Sequence, residues 1–133
     1  MKKTILDCNV LISAALTKGV CRSVVSWVLE NHILALSEDI VFECAEVARR
    51  ERFKAYWEDL EKMVMDLCLA GRIFTPGFSS FTLKDKSDEK YLALAQSAQA
   101  DFFVTGNLKH FPEVVYGCTC VYSPASFQEN MMS

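Results

Sequence analysis

Short apolar runs alternate with amphipathic segments along the whole chain. The runs have the length of β-strands, and we predict strands at residues 4–7, 33–36, 72–75, 102–105 and 121–122. Apolar residues recur at helical spacing between them, which predicts helices at residues 10–16, 20–31, 38–50, 55–69, 88–98 and from Ser123-Pro124 onward. Strands that are apolar on both faces and alternate with helices indicate a parallel sheet between helical layers. We therefore predict one α/β domain over residues 1–133, an α/β/α sandwich with a central, mostly parallel sheet of about five strands.

Two serines are predicted to cap helices. Ser37 precedes Glu38 and Asp39, which are acids favoured in the first turn of a helix. Ser87 stands directly before the helix predicted at residues 88–98.

Asp7 interrupts the first apolar stretch, because it stands between an apolar run ending at Leu6 and another beginning at Val10. A carboxylate buried without a partner costs several kcal/mol. Asp7 is therefore expected to have a partner, and a metal ion is the first candidate. The alternative is that Asp7 only caps the helix that begins beside it.

The net charge of the 133 residues is −3, which argues against a protein that coats nucleic acid without specificity. Positive charge is nevertheless concentrated in a cluster of Arg49, Arg50, Arg52 and Lys54. This cluster has two interpretations. It is either a positive rim for a substrate phosphate or an ordinary solvated helix end with cations near the C-terminus.

The sequence gives no sign of a membrane segment, because no apolar run approaches the roughly 18 residues that a span needs. An N-terminal secretory signal is rejected since Asp7 and Asn9 would lie inside its hydrophobic part. The six cysteines suit a reducing compartment, because most lie in apolar periodic segments where free thiols behave as small hydrophobic groups. We therefore expect a soluble, cytoplasmic protein without a membrane partner.

Acidic side chains from three segments are expected at one edge of the sheet. Asp7 follows the first strand, Glu43 lies on the third helix with Glu46 one turn further, and Asp85 and Asp88 precede the fourth strand. Two unit charges about 4 Å apart repel by roughly 4 kcal/mol at an effective dielectric constant of about 20. A cation is therefore expected among them, and Mg²⁺ is favoured because it binds few carboxylates and couples to substrate phosphates.

Neutral polar side chains accompany these acids. Asn9 and Asn107 offer amide groups and Thr105 offers a hydroxyl group, all near strand ends. Such groups are suited to hydrogen bonds that orient metal-binding carboxylates.

Four stretches of the sequence carry a resemblance to a known family. They are ILDCNVLISA at residues 5–14, LSEDIVFE at 36–43, KDKSDEKYLALA at 84–95 and ADFFVTGNLKHF at 100–111. With these stretches in this order along the chain, the sequence resembles PIN-domain proteins, in the branch of toxin components of toxin–antitoxin pairs. The resemblance implies a PIN-like fold and a metal-dependent ribonuclease.

The resemblance also implies roles for individual residues. The implied catalytic metal ligands are Asp7, Glu43 and Asp88. The implied supporting residues are Asn9, Asp85, Thr105 and Asn107. The implied substrate-binding residues are Arg49, Arg50 and Lys109. The bound ion would be Mg²⁺ or Mn²⁺, which lowers the pKa of a bound water and places it in line with a phosphodiester. The expected partners are single-stranded or structured RNA and an antitoxin protein, and a homodimer stays open.

Two positions depart from the family pattern. Cys8 replaces the usual threonine, and Asn107 stands where many relatives carry a fourth acid. An asparagine keeps an oxygen ligand but removes a charge, so a second metal would bind less well and catalysis by one metal is favoured. The same departure supports an alternative, a catalytically weak PIN-like domain that binds RNA or protein without cutting.

Two further alternatives concern single residues. His110 is interpreted either as a donor to a leaving oxygen or as an ordinary surface residue of a loop. Asp7 could instead accept a phosphoryl group, but one class of such enzymes needs a second acid two positions on, where this chain has Asn9.

Overall fold

A six-stranded sheet forms the centre of the computed structural model, which describes residues 1–132; Ser133, the last residue of the predicted domain, lies outside the described residues. The strands are β1 (Lys3–Leu6), β2 (Ile33–Ser37), β3 (Arg72–Phe74), β4 (Phe102–Val104), β5 (Val115–Tyr116) and β6 (Thr119–Tyr122). The helices are α1 (Cys8–Leu16), α2 (Val20–Asn31), α3 (Glu38–Ala48), α4 (Trp57–Ala70), α5 (Glu89–Ala98) and α6 (Pro124–Met131).

The sheet is parallel except at one edge. Its strand order is β3-β2-β1-β4-β6-β5, and only β5 runs antiparallel to its neighbour. The predicted α/β class with a mostly parallel sheet is therefore confirmed. The sequence patterns missed β5, because a strand of two residues is too short to show alternation. Its hairpin with β6 turns at Gly117, whose φ of 61° favours glycine.

Alternate residues of each strand point to opposite faces of the sheet and divide the core into two parts. Leu6, Leu34 and Phe102 pack with helices α1, α2, α3, α4 and α6 on one face. Ile5 and Phe103 pack with α5 on the other face. The central strands are thus covered on both sides, which explains why they contain no polar alternation.

Three helix starts differ from the prediction. Helix α4 begins at Trp57, after a 3₁₀ turn over Glu51–Tyr56, and not at residue 55. Helix α1 begins at Cys8, directly after Asp7, and not at residue 10. The predicted cap at Ser87 is wrong, because Asp85 accepts a hydrogen bond from the Ser87 N–H and starts a 3₁₀ turn over Lys86–Asp88. Helix α5 then begins at Glu89. The serine at Ser37 caps α3 as predicted, with its Oγ accepting from the Ile40 N–H.

The order of the strands reverses beside β1, and open α/β sheets have a crevice at the carboxyl ends of the strands where this happens. Chain connections lead from β1 to β2 and β3 on one side, and from β4 to β6 on the other. Ligands bind at such a switch point in open α/β sheets. Leu6 of β1 is paired with Val104 of β4, so Asp7 and Thr105 leave the sheet side by side.

Within residues 1–132, no single helix is long and apolar enough to span a membrane, although α1 and α2, bent by 109° from each other, would reach the required length and composition together.

Candidate active site

Asp7 is held at the end of β1 by contacts to both of its carboxylate oxygens. Oδ1 accepts a hydrogen bond of 3.1 Å from the Asn9 N–H, and Oδ2 accepts one of 2.7 Å from the Thr105 hydroxyl group. Asp7 therefore does cap helix α1, as one interpretation of the sequence expected. The cap occupies one oxygen only, so it does not account for the second contact or for an exposed fraction of just 6%.

Burial, hydrogen bonds and nearby charges all shift the pKa of Asp7. Burial raises the pKa of Asp7, whereas the hydrogen bonds from Thr105 and Asn9 lower it. The negative charges of Glu43 and Asp88 raise this pKa again. The three acids predicted from separate segments therefore lie close enough to act on one another.

Glu43 projects from α3 toward the start of α5, where two donors contact its carboxylate. The Lys90 ammonium donates to Oε2 at 2.5 Å, and the Tyr91 hydroxyl group donates to Oε1. Tyr91 also accepts a hydrogen bond of 3.1 Å from the Cys8 N–H. Burial, followed by the charge of Asp7 and the bond to Glu43, raises the pKa of Tyr91, so its hydroxyl group stays protonated.

Asp88 ends the 3₁₀ turn before α5 and contacts His110. The distance from His110 Nδ1 to Asp88 Oδ2 is 2.8 Å, and Nδ1 must carry the proton because a carboxylate only accepts. Asp85 lies beside them, where hydrogen bonds from the Ser87 hydroxyl and N–H lower its pKa. His110 thus has a partner inside the candidate site.

The supporting residues predicted from the sequence take different positions. Thr105 is fully buried and links two groups, because its Oγ1 donates to Asp7 and accepts from the Asn107 N–H at 3.0 Å. The side chain of Asn107 is exposed and makes no capping hydrogen bond to the Leu108–His110 turn. Asn9 is also exposed and contacts Asp7 through its main chain.

Two buried cysteines, Cys8 and Cys44, follow Asp7 and Glu43 directly in the sequence and lie close to each other. Cys8 and Cys44 are both 2% exposed. A hydrogen bond to Cys8, followed by burial, raises the pKa of Cys44. Cys8, which departs from the family threonine, therefore packs as a core residue between α1 and α3.

Each acid of the site has a partner of its own within the chain. Asp7 is bonded to Thr105, Glu43 to Lys90 and Asp88 to His110. Part of the compensating charge is therefore an ammonium group of the protein, which the sequence analysis did not foresee. Lys90, Tyr91 and His110 are the site residues that sequence reasoning missed or left open. A lysine directly after the acids of the α5 segment was the available signal for Lys90.

The side chains can offer oxygen ligands but are not gathered around one point. Among residues 1–132, ligand atoms of three acids, histidines or cysteines lie within 4.8 Å of one another only in the group of Asp85, Asp88 and His110. The carboxylates of Asp7, Glu43 and Asp88 do not all meet this distance. Their donor chemistry nevertheless fits Mg²⁺ or Mn²⁺, because each ionised carboxylate keeps free lone pairs beside its internal hydrogen bonds.

Basic residues flank the site on one side. A groove of about 550 Å³ is lined by Lys84, Asp85, Lys86, Lys109 and His110. Lys109, predicted to bind substrate, therefore lies beside the acids. Arg49 and Arg50 follow the C-terminal end of α3. There the Arg49 guanidinium is 3.2 Å from Glu61 of α4, and the main-chain carbonyl of Arg50 accepts a hydrogen bond from Trp57.

The comparisons with known proteins agree with this architecture. The family model described as a PIN domain matches residues 3–109, and the chain belongs to the PIN-domain family. No curated protein matches the sequence significantly. The resemblance predicted from the four sequence stretches is therefore confirmed at the level of the family.

Solved structures of other proteins share the fold, among them two with the following likeness. The first is the crystal structure of VapBC2 from Rickettsia felis bound to a DNA fragment from their promoter, with a TM-score of 0.64 and 13% identity, covering 91% of this chain and 98% of that chain. The second is the structure of FitAB bound to an IR36 DNA fragment, with a TM-score of 0.60 and 20% identity, covering 91% of this chain and 94% of that chain. At these identities the likeness shows the fold alone.

Proposed function

We propose that this protein is a Mg²⁺- or Mn²⁺-dependent endoribonuclease that hydrolyses phosphodiester bonds of RNA and acts as the toxin of a toxin–antitoxin pair. The observation that carries the proposal is the buried carboxylate of Asp7 at the switch point of the sheet, near enough to Glu43 and Asp88 for their charges to raise its pKa. Membership of the PIN-domain family supports the same class of activity.

Asp7, Glu43 and Asp88 are the proposed metal ligands. A bound divalent ion would supply an activated water and positive charge at the phosphate. The chain's own residues orient the ligands: Thr105 fixes one oxygen of Asp7, and Tyr91 fixes one oxygen of Glu43. Such hydrogen bonds limit the rotation of carboxylates and so prepare them for one geometry.

The substrate is proposed to approach along the basic groove. Lys84, Lys86 and Lys109 line it beside Asp85 and His110. Cations next to the acids would attract phosphates of the RNA backbone, an interaction that depends on salt rather than on base sequence. This assignment keeps Lys109 among the substrate residues and gives Lys84 and Lys86 the role first considered for Arg49 and Arg50.

The partner is proposed to be an antitoxin protein. VapBC2 and FitAB, whose structures are among the similar ones, are bound to DNA fragments in those structures, which supports the proposal that this chain also works within an assembly of that kind. We further propose that the protein acts in the cytoplasm, where RNA would be available as its substrate.

A cleavage assay tests the nuclease directly. An end-labelled single-stranded RNA is incubated with the wild type, Asp7→Asn and Asp88→Asn in Mn²⁺, Mg²⁺ or EDTA. We expect cleavage by the wild type only with metal, and a loss of at least about 100-fold in both variants. Asp66→Asn, which removes an exposed acid of α4, is the control and should cut like the wild type.

The second candidate is a PIN-like domain that binds RNA or protein without cutting. The neutral Asn107 beside Thr105 favours it, because the crevice then holds one charge fewer. This candidate predicts that the labelled RNA stays intact under every metal condition. It also predicts that the protein binds this RNA and retains it on a filter. Metal-dependent cleavage that is lost in Asp7→Asn would exclude it.

A further inference from the structure

The pair of Lys90 and Glu43 is the most enclosed lysine ion pair in the part of the chain that the structure describes. The lysine side chain is 21% exposed and the glutamate side chain is 25% exposed. Lys2 pairs with Asp101 at 3.8 Å and Lys54 with Glu51 at 3.9 Å, with lysine exposures of 63% and 69%. Exposed pairs contribute little because water and salt screen them. The enclosed pair of Lys90 and Glu43 is therefore a better candidate for a functional ion pair than the two exposed pairs.

The geometry prevents Glu43 from turning away from Lys90. Tyr91, the next residue of α5, donates to the other carboxylate oxygen of Glu43, and its ring is 1% exposed. The Cys8 N–H donates to the same tyrosine hydroxyl group. Both oxygens of Glu43 are thus held by neighbouring residues of one helix, and Glu43 stays beside Asp7.

We infer that Lys90 is a positioning residue, a tethered cation that holds Glu43 in place when no metal is bound and competes with the metal for that carboxylate. The inference rests on the proposed metal site. The ammonium group lies against Glu43 Oε2, so a divalent ion at this oxygen must approach or displace it. Two cations on one carboxylate repel each other, and the binding of one weakens the binding of the other.

Competition gives a signature that a merely structural lysine would not show. Removal of the ammonium charge should lower stability without metal, because Glu43 and Asp7 then repel without compensation. The same removal should strengthen metal binding, because the competitor is absent. A structural lysine would instead lower stability by the same amount with and without metal.

The experiment measures melting temperature and Mn²⁺ affinity in the absence of RNA. The neutral variants are Lys90→Met and Lys90→Gln, and Lys90→Arg keeps the charge. Lys2→Met is the matched control, because it removes one exposed ammonium group at the opposite end of β1. Each protein is melted in EDTA and in saturating Mn²⁺, and the dissociation constant for Mn²⁺ is measured by calorimetry.

We expect both neutral variants to melt about 3 to 5 °C below the wild type in EDTA and to lose most of this difference in Mn²⁺. Their dissociation constants for Mn²⁺ should fall by about fivefold or more, whereas Lys90→Arg and Lys2→Met should bind Mn²⁺ like the wild type. In the background of Glu43→Gln, the change Lys90→Met should no longer alter Mn²⁺ affinity.

Equal Mn²⁺ affinity in the wild type and both neutral variants would overturn the role of Lys90 and leave the proposed nuclease intact. A melting difference of the same size in EDTA and Mn²⁺ would overturn it as well. Absence of Mn²⁺ binding in every protein would contradict the proposed function itself, and the inference would fall with it.

Discussion

The hydroxyl group of Thr105 donates a hydrogen bond of 2.7 Å to Asp7 Oδ2, although 98 positions separate the two residues in the sequence. The pairing of Leu6 with Val104 brings Asp7 and Thr105 together, because these two residues directly follow the carboxyl ends of adjacent parallel strands. The acid and its orienting group therefore depend on the register of two strands, so a change at Thr105 should act on Asp7.

Thr105→Val should retain the fold and lose most of the activity. Valine has nearly the same shape but cannot donate to Asp7, so stability should fall by about 1 kcal/mol and cleavage by about 10- to 100-fold. Thr105→Ser keeps the hydroxyl group and should stay within a few-fold of the wild type. Rates of RNA cleavage and denaturant unfolding measure both effects. A valine variant as active as the serine variant would remove Thr105 from the site.

Asp7→Asn should stabilise the metal-free protein increasingly as the pH rises. The folded-state pKa of Asp7 lies above its usual value of 3.8, so folding favours the protonated form. Stability from this group is fully present below the unfolded pKa and is lost as the pH rises through the folded pKa. Asp7→Asn has no ionisable proton at this position, so its stability is not lowered in this way as the pH rises. Melting temperatures in EDTA between about pH 4 and pH 7 measure the difference. A difference that does not change with pH would contradict the burial of an ionised Asp7.

Glu43→Gln should cost far more activity than Glu46→Gln. Glu43 contacts Lys90 and Tyr91 inside the crevice, whereas Glu46 is exposed one turn further along α3. The two variants remove the same charge from one helix, so each is the control of the other. We expect a loss of at least about 100-fold for Glu43→Gln and less than about threefold for Glu46→Gln in cleavage rate. Equal losses would mean that α3 presents a different face to the site.

The sequence patterns predicted much of this arrangement and missed the contacts inside it. Asp7 could be recognised because it ends an apolar run, and Asp88 because the family stretch around it fixes its position. A lysine directly after the acids of the α5 segment was visible in the sequence, but its contact with Glu43, and that of Tyr91, could not be predicted. Helical periodicity marks Tyr91 as a core residue and does not show which carboxylate lies opposite. Such contacts depend on how α5 packs against α3, and packing geometry is not encoded in local spacing.

The contacts of residues that follow helices or lie in turns could not be predicted from the sequence either. Arg49 and Arg50 belong to a charge cluster that is visible in the sequence, but the sequence does not show that Arg49 lies 3.2 Å from Glu61 of the next helix. His110 follows a strand by several residues, and only the folded turn over Leu108–His110 brings its ring to Asp88. Sequence distance alone gives no direction for a side chain in such a turn.

Asn107→Asp should change stability and metal response in opposite directions. Its main-chain N–H donates to Thr105, which in turn bonds to Asp7, so the prediction is that a carboxylate at this position adds negative charge beside the site. Without metal, the added charge should lower the melting temperature by a few degrees, because it meets other acids. With metal, it should lower the Mn²⁺ concentration needed for half-maximal cleavage. Identical melting and cleavage curves for the variant and the wild type would place Asn107 outside the metal site.

Calorimetric titration with Mn²⁺ tests most directly whether three acids from separate segments form one metal site. The proteins are the wild type, Asp7→Asn, Glu43→Gln and Asp88→Asn, with Glu46→Gln as the exposed control. The account predicts Mn²⁺ binding in the wild type and the control, and a dissociation constant raised by at least about tenfold in each of the other three. Unchanged Mn²⁺ binding in Asp7→Asn or Glu43→Gln, with loss only in Asp88→Asn, would contradict it and assign the ion to the group of Asp85, Asp88 and His110.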